Sequence, residues 1–207
     1  MKNFLAAPLL VLALAFLAPV WLGSAPALAA EGDIVLPAPA KSGGAPILDA
    51  LSKRKSHRSF KSDSLAPEQL SAILWAAFGV SRDDDHRTIP TWRGGKDLAV
   101  YAVLSSGVYL YNPVANTLEK VLSGDRTGEY GGAPLTLLYA GPTDNGQVGG
   151  FHSGSAYQSA ALYCASEGLA NVVKVTGADA LKDELKPPNG WSVLVVQSIG
   201  FPAGANF

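Results

Sequence analysis

The residues of this sequence that could do chemistry are concentrated in a basic stretch, residues 54–60, with three cations, a histidine and two serines. In an extended chain alternate side chains share a face, so Arg54, Ser56 and Arg58 are expected to point the same way, with Phe60 behind them. Two guanidinium groups beside a hydroxyl suit a phosphate or another delocalised anion, because arginine donates in a planar, bidentate geometry. The alternative is a solvated basic turn that follows a short helix.

Other polar groups in the chain do not form a recognisable catalytic or metal-binding pattern. Residues 83–85 are three adjacent aspartates whose carboxylates point in different directions, and no further ligands follow at a useful spacing, so we predict a solvated loop. The glycines of residues 150–154 start one position too early for a nucleophile elbow. His57, His86 and His152 have no zinc-ligand spacing. A hydrolase or a metalloenzyme therefore has little support.

Cys164 is the only cysteine, and no histidine or aspartate stands in a catalytic arrangement with it. We interpret Cys164 as a buried small side chain rather than a nucleophile. A protein outside the cytoplasm that has one cysteine forms no internal disulfide, so its hydrophobic core must suffice for stability.

The first 29 residues are typical of a secretory signal peptide. Lys2 precedes an apolar run at residues 4–18, and Ala27-Leu28-Ala29 is a small-x-small cleavage site. Cleavage leaves 178 residues (207 minus 29), which fits one domain. We therefore expect a periplasmic or extracellular protein, with a retained N-terminal anchor as the alternative.

The mature chain carries a net charge of −2, because Lys2 is lost with the signal and 15 basic residues then face 17 acidic ones. This balance argues against a nucleic-acid binder. No second long apolar segment follows, so we expect no membrane association after cleavage. Residues 30–45 are rich in proline, alanine and glycine and are interpreted as an extended arm or linker, draped on a partner subunit or mobile. Residues 46–207 are expected to form the domain.

The basic stretch has to be positioned by elements that the sequence pattern predicts on either side of it. We expect helices at residues 46–53 and from Pro67 to Gly79, a central helix at residues 153–168 and a short helix at residues 178–185. The small side chains of the central helix allow close packing in the domain centre or at a dimer interface. Strands are predicted at residues 98–104, 108–111, 117–122, 134–140, 172–176 and 191–199.

Four stretches, in this order, resemble the nitroreductase-like flavoprotein family, especially its branch of dehydrogenases that act on peptide azoline rings. Residues 54–60 resemble an R-x-S-x-R-x-F opening, and the helix at residues 65–79 follows at the expected distance. Residues 87–91 stand where the family has R-x-x-P-S before a strand. The segments 154–169, 176–179 and 200–202 resemble the central helix, the G-F-D turn and the closing G-Y-P.

This resemblance implies an α+β fold with a mostly antiparallel sheet flanked by helices, an intertwined homodimer, and FMN at the subunit interface. It implies a flavin-dependent oxidoreductase that exchanges hydride with a small-molecule substrate through flavin N5. Arg54, Ser56 and Arg58 would hold the phosphate and ribityl groups. Pro90 and Thr91 would line the ring, and the backbone at Thr176 and Gly177 would donate to N5. The implied cofactor-binding residues are Arg54, Lys55, Ser56, Arg58, Pro90, Thr91, Thr176 and Gly177.

The sequence also departs from the family pattern. Thr91 replaces the usual serine, bulky Trp92 and charged Arg93 follow where small residues are usual, and His152 stands where an aspartate is expected. The phosphate-clamping arginine that many members carry near their C-terminus is not found by Phe207. NAD(P)H is not expected outside the cytoplasm, so the hydride donor need not be a nicotinamide. A non-catalytic or ligand-binding domain on the same fold is the alternative function.

Overall fold

A computed structural model describes residues 31–204 as one seven-stranded sheet with three α-helices. The predicted signal peptide lies outside the described residues. The strands are β1 (Ile34–Val35), β2 (Ala99–Leu104), β3 (Gly107–Asn112), β4 (Thr117–Ser123), β5 (Leu135–Pro142), β6 (Ala170–Lys174) and β7 (Trp191–Gly200). The helices are α1 (Ile47–Lys53), α2 (Pro67–Phe78) and α3 (Gly146–Ser166).

The sheet has the strand order β1-β4-β3-β2-β5-β7-β6, and every neighbouring pair is antiparallel. This confirms the predicted α+β class. Strands β2, β3 and β4 form a meander because Ser105-Ser106 and the turn after Asn112 are too short for any other connection. Helices α2 and α3 pack together over one face of the sheet, and their buried apolar side chains join those of β2, β5 and β7 in the main core.

Helix α3 begins at Gly146, two turns before the predicted start at residue 153. The first half of α3 is rich in glycine, which has a low helix propensity, so the sequence did not predict a helix there. The glycines permit a close approach of the helix to the sheet. A Cβ on Gly149 would stand 2.7 Å from Leu194 Cδ1 and 2.9 Å from the Pro142 carbonyl oxygen. Ala156, Ala160 and Cys164 are buried further along, so the central position expected for this helix is confirmed.

The opposite face of the sheet is covered without an α-helix. The predicted helix at residues 178–185 is wrong: this segment is a series of turns with bonds such as Ala180 N–H to the Gly177 carbonyl oxygen (3.1 Å). Leu181 and Leu185 are nevertheless buried, together with Tyr130, against β2, β5 and β7. Their spacing of four residues looks helical, and Leu185 N–H does donate to the Leu181 carbonyl oxygen at 2.7 Å, but the segment does not continue as an α-helix.

Part of the arm predicted at residues 30–45 is held against the sheet. Ile34 and Val35 pair with Leu118 and Thr117 of β4, and Leu36 is 5% exposed. Ser71 Oγ donates to the Pro37 carbonyl oxygen at 2.6 Å. The extended conformation therefore agrees with the prediction, but the mobile interpretation does not apply to residues 34–37.

Candidate functional site

The basic stretch is fixed by main-chain hydrogen bonds beside the start of β6. Arg54 N–H ends α1 by donating to the Ala50 carbonyl oxygen, and His57 N–H donates to the Asn171 carbonyl oxygen, both at 2.9 Å. Phe60 pairs with Pro202 in an isolated bridge. Residues 54–60 therefore run between β6 and the segment that follows β7, held by main-chain hydrogen bonds at His57 and Ser59.

Two cavities lie on opposite sides of this stretch. Ser56 and Arg58 line a cavity of about 220 Å³ together with Ser59 and the segment 202–204. Lys53 and Lys55 line a cavity of about 530 Å³ together with the C-terminal end of α3. Four consecutive residues, 56–59, line the first cavity, so the alternation expected of an extended chain does not separate them, whereas Lys55 lines the second cavity. Arg54 is half-buried at the end of α1.

The Pro90–Thr91 segment is anchored to α3 by a buried histidine. Trp92 N–H donates to His152 Nε2 at 2.8 Å, and His152 Nδ1 lies 3.3 Å from the Asp97 carbonyl oxygen. His152 is 0% exposed. Because Nε2 accepts, Nδ1 carries the proton and donates to Asp97, so one neutral imidazole ties two points of the segment. Pro90 remains exposed and Thr91 is half-buried.

The two ends of residues 87–96 are held together by ionic contacts with Asp85. The Asp85 carboxylate contacts Arg87 Nη1 at 2.9 Å and also accepts from Lys96 Nζ. The Arg87 guanidinium lies 5.0 Å from the centre of the Phe78 ring, and its side chain is 6% exposed. The hydrogen bond from Lys96, with the charge of Arg87, holds the pKa of Asp85 below its usual value. One carboxylate therefore joins both ends of residues 87–96.

Asp85 belongs to the three adjacent aspartates, residues 83–85, that were predicted to form a solvated loop. Asp84 contacts His86 Nδ1 at 2.7 Å, while Asp85 turns inward to Arg87. Within residues 31–204, no cluster of three histidine, cysteine or acidic side chains could hold a metal ion. The run is thus a surface loop whose last aspartate has a structural role that the sequence pattern did not indicate.

Thr176 and Gly177 follow β6, at the end opposite the basic stretch. Both are exposed, and Gly177 has φ +89°, a left-handed conformation that glycine adopts without strain. A Cβ at Gly177 would lie 3.7 Å from the Tyr130 ring. Lys174 Nζ donates to the Tyr130 carbonyl oxygen at 2.9 Å, which fixes the turn against the segment before β5.

In one chain the predicted site residues therefore occupy three separate places. His152 and Ala165 are 13 residues apart in α3, about 20 Å along the axis at 1.5 Å per residue. Asn171 and Thr176 are 5 residues apart, about 16 Å in extended conformation. The Pro90–Thr91 segment and the basic stretch therefore lie near opposite ends of α3, and the Thr176–Gly177 turn lies at the far end of β6 from the basic stretch.

A buried polar network connects the central helix to the strand beside the basic stretch. Tyr139 Oη donates to Gln197 Oε1 at 2.6 Å, and Gln197 Nε2 donates to the Tyr157 carbonyl oxygen and to Asn171 Oδ1, both at 3.2 Å. Burial raises the pKa of Tyr139 well above its usual value, so the hydroxyl stays protonated as a donor. Sequence reasoning missed this network, although Asn171 and Gln197 are polar residues inside apolar strands.

Cys164 is fully buried in the core, which confirms its interpretation as a packing residue. Burial raises the pKa of its thiol, and a protonated thiol is a poor nucleophile. Among the helices of residues 31–204, none has the length and apolar character that crossing a bilayer requires.

Residues 51–201 match the profile of the nitroreductase family. A crystal structure of a nitroreductase-family protein from Ralstonia eutropha JMP134 superposes with a TM-score of 0.77 and 32% identity, covering 88% of this chain and 97% of that chain. A nitroreductase-family protein of Methanocaldococcus jannaschii is 30% identical over 97 residues, 44% of this chain. The matched part of this chain spans about half, 49%, of the length of that curated relative.

Two more distant structures share the fold. A Bacteroides fragilis nitroreductase with bound FMN has a TM-score of 0.55 and 16% identity, covering 78% of this chain and 91% of that chain. A chain of the Escherichia coli microcin synthetase complex, with a truncated precursor bound, has a TM-score of 0.63 and 20% identity over 73% of this chain and 70% of that chain. At these identities the likeness concerns the fold alone.

Proposed function

This chain belongs to the nitroreductase family, and we propose that it is an exported FMN-dependent oxidoreductase acting on a small molecule. The observation that carries the proposal is the cavity that Arg58 shares with Ser56 and Ser59. When bound, FMN would supply hydride transfer at its N5 atom to or from the substrate. The residues of this chain bind and orient the cofactor.

The donors around this cavity fit a phosphate group. Arg58 offers a planar guanidinium, and Ser56 and Ser59 offer hydroxyls, so three side chains can donate to phosphate oxygens. The Arg58 side chain is exposed, so its guanidinium is accessible to a ligand. Arg54, at the end of α1, would add a second positive charge. Lys55 lines the opposite cavity and would act through its charge rather than by contact.

We propose that a second copy completes the site. The basic stretch lies near the C-terminal end of α3, since Lys55 lines a cavity with Ala165. The Pro90–Thr91 segment is tied through Trp92 to His152, about 20 Å from Ala165 along the helix. A homodimer can place the Pro90–Thr91 segment of one chain beside the basic stretch of the other. The exposed backbone around Thr176 and Gly177 would then be available to donate to the flavin ring.

An apolar surface supports the dimer. Helix α1 packs on α3 and buries Ala50, but Ile47, Leu48 and Leu51 are 60%, 74% and 47% exposed. Three neighbouring exposed aliphatic side chains beside the cavity of Lys53 and Lys55 are typical of an interface. The half-exposed side of α3 is adjacent, which agrees with the expected place of this helix near the subunit boundary.

The dimer is tested by light scattering of the wild type and of Leu48→Asp. The wild type should give twice the mass of one chain, and the variant should shift towards the monomer because a carboxylate cannot be buried unpaired. Val114→Asp is the matched control, since Val114 is also exposed, at 71%, but lies in the turn after β3. A monomeric wild type would reject the proposal.

FMN binding is tested by the absorption spectrum of the protein from its native compartment and by titration of FMN into FMN-free protein. Stoichiometric binding, one FMN for each chain, and reduction of the bound flavin by a chemical reductant are the expected results. A wild type that binds no FMN under any condition would favour the alternative, a ligand-binding domain on the same fold. In that case the basic stretch would serve another anion.

We also propose export and kinship with the azoline-dehydrogenase branch. The sequence of residues 1–29 supports export, and intact mass of the exported protein should correspond to a start near Ala30 or Glu31. A mass that includes residues 4–18 would reject cleavage. Support for the branch comes from the order of the matching stretches and from the microcin synthetase chain of similar fold.

A further inference from the structure

A cavity of about 250 Å³ lies between the N-terminal arm and the C-terminal ends of α2 and α3. Residues 40–44 of the arm form one side of it, and Trp75, Tyr163, Ser166 and Glu167 form the other. None of the residues assigned to the cofactor lines this cavity. Its volume is just below the ~300 Å³ at which the usual range of ligand pockets begins, so it suits a compact molecule.

Hydrogen bonds and two glycines hold the arm against the end of α3. Ala45 N–H donates to Ser166 Oγ at 2.6 Å, and Ser166 Oγ donates to Glu167 Oε1 at 3.2 Å. Gly43 and Gly44 have φ +101° and +75°, a left-handed conformation that glycine adopts without strain. A Cβ on Gly44 would collide with Ser166 Oγ and stand 3.0 Å from Glu167 Oε1. The arm side of the cavity is therefore formed before a ligand arrives, which lowers the entropic cost of binding.

The helix side of the cavity presents two aromatic rings. Trp75 Nε1 donates to the Val80 carbonyl oxygen at 3.0 Å, so the indole N–H is already bonded and the ring carbons are left to contact a ligand. Tyr163 is half-buried and packs against the main core. Burial, with a smaller contribution from the Glu167 charge, raises the pKa of Tyr163 to about 12, so its hydroxyl stays protonated at neutral pH. Both rings are uncharged groups in fixed positions.

The negative charge of Glu167 meets this cavity without a cation to balance it. Among residues 31–204, no basic side chain forms an ion pair with Glu167. Lys41 lines the cavity from the arm, but it is exposed and does not pair with this carboxylate. A carboxylate beside aromatic rings is suited to an organic cation, because the face of an aromatic ring carries partial negative charge.

We propose that this cavity binds a small organic ammonium ion. The Glu167 carboxylate balances the charge of the ion, and the rings of Trp75 and Tyr163 contact its alkyl groups. The positive charge of Lys41 opposes binding rather than adding to it. The site is separate from the cavity of Ser56 and Arg58, so its occupation does not depend on whether FMN is bound there.

The test is a calorimetric titration of the full mature chain with choline and with 3,3-dimethylbutan-1-ol, its neutral isostere in which carbon replaces nitrogen. The wild type should bind choline about tenfold more tightly or better. Glu167→Gln should weaken choline about three- to fivefold, since an exposed charge is screened by solvent. Tyr163→Leu should weaken it about tenfold because the ring is lost, whereas Tyr163→Phe should stay within about twofold. Glu129→Gln, an equally exposed position on the other face of the sheet, is the matched control.

Lys41→Gln distinguishes the sign of the ligand's charge. It should leave choline affinity unchanged or raise it up to about threefold, because a like charge is removed. Sedimentation with phosphatidylcholine vesicles separates two sources of the same cation. Protein that binds choline but stays in the supernatant takes a free ammonium ion, and co-sedimentation that Glu167→Gln abolishes would assign the site to a lipid headgroup.

Equal affinities of the wild type for choline and for the alcohol would overturn the proposal, as would unchanged choline affinity in Glu167→Gln and Tyr163→Leu. Weaker choline binding in Lys41→Gln would also contradict it. Displacement of FMN by choline would overturn the separate site, whereas choline binding in a protein that binds no FMN would support this inference and reject the proposed oxidoreductase. Circular dichroism of each variant identifies any loss of folding, and the exposed Glu167→Gln keeps the test decisive if Tyr163→Leu does not fold.

Discussion

The basic stretch and the segment 87–97 differ in how far side chains hold them. The basic stretch is attached through main-chain hydrogen bonds at Arg54, His57 and Ser59, and most of its side chains are exposed. The segment 87–97 has a main-chain bond from Thr88 N–H to the Gly79 carbonyl oxygen, and it is attached in addition through side chains, chiefly buried His152 and the Asp85 carboxylate. Functional side chains can therefore change in the first region without loss of the fold, whereas in the second region position and stability depend on the same residues.

The largest effect that this comparison predicts is on His152. His152→Ala should lower the free energy of unfolding by about 2–4 kcal/mol, because it leaves a cavity and an unpaired Trp92 N–H. Urea unfolding measures the loss. His86→Ala is the matched control: its side chain is 54% exposed and its contact with Asp84 lies at the surface, so its change should stay within about 0.5 kcal/mol. Equal losses in the two variants would remove the distinction between the regions.

A second prediction sharpens the comparison at the basic stretch. Arg58→Ala should weaken FMN binding about 10- to 100-fold, because a charge-assisted bond to the phosphate is lost, while the unfolding free energy of the FMN-free protein hardly changes. Arg58→Lys should recover only part, since an ammonium lacks the planar fork. Flavin fluorescence during FMN titration gives the affinities.

Lys55→Ala provides the internal comparison for that titration, because Lys55 lines the cavity on the other side of the chain. Its effect on FMN affinity should be smaller than about threefold, the size expected of an exposed charge acting at a distance. A larger loss in Lys55→Ala than in Arg58→Ala would move the phosphate to the cavity of Lys53 and Lys55.

The smallest effect is predicted at Tyr130, which packs beside Gly177. A variant at Tyr130 tests whether the Thr176–Gly177 turn depends on side-chain bonds, as residues 87–97 do. Within residues 31–204 the buried Tyr130 hydroxyl has no hydrogen-bond partner. Tyr130→Phe should therefore change stability at neutral pH by no more than about 0.5 kcal/mol, or raise it slightly. A loss above about 1 kcal/mol would show that the hydroxyl is structurally engaged, as the side chains around residues 87–97 are.

Tyr130 should also contribute to instability at alkaline pH. Burial, with a smaller contribution from the Glu129 charge, raises the pKa of Tyr130 to about 12, whereas an unfolded tyrosine has a pKa of about 10. The folded state holds the proton more tightly, so this stabilisation is complete below about pH 10 and is lost as the pH rises to about 12. Urea unfolding from about pH 9 to about pH 12 should show a shallower decline in Tyr130→Phe than in the wild type.

The same contrast explains what could be predicted from the sequence. The meander β2-β3-β4 and helix α2 follow from local periodicity and turn residues. Ser56 and Arg58 do line one cavity, but His57 and Ser59 line it too, so alternation along the chain is not the reason. The anchors of residues 87–97 could not be predicted in this way, because Trp92 and His152 are 60 residues apart in sequence. Local spacing was misleading at Leu181 and Leu185, where turns imitate the period of a helix.

The place of β7 in the sheet has a consequence for the order in which the protein can assemble. This strand lies between β5 and β6, and in the described sheet β7 is the one neighbour of β6. Until residues 191–200 emerge from the ribosome, β6 has no ladder to join and His57 has no fixed strand beside it. A nascent chain interrupted before that point holds an incomplete sheet, so the region around the basic stretch is completed late, after every other strand has been made.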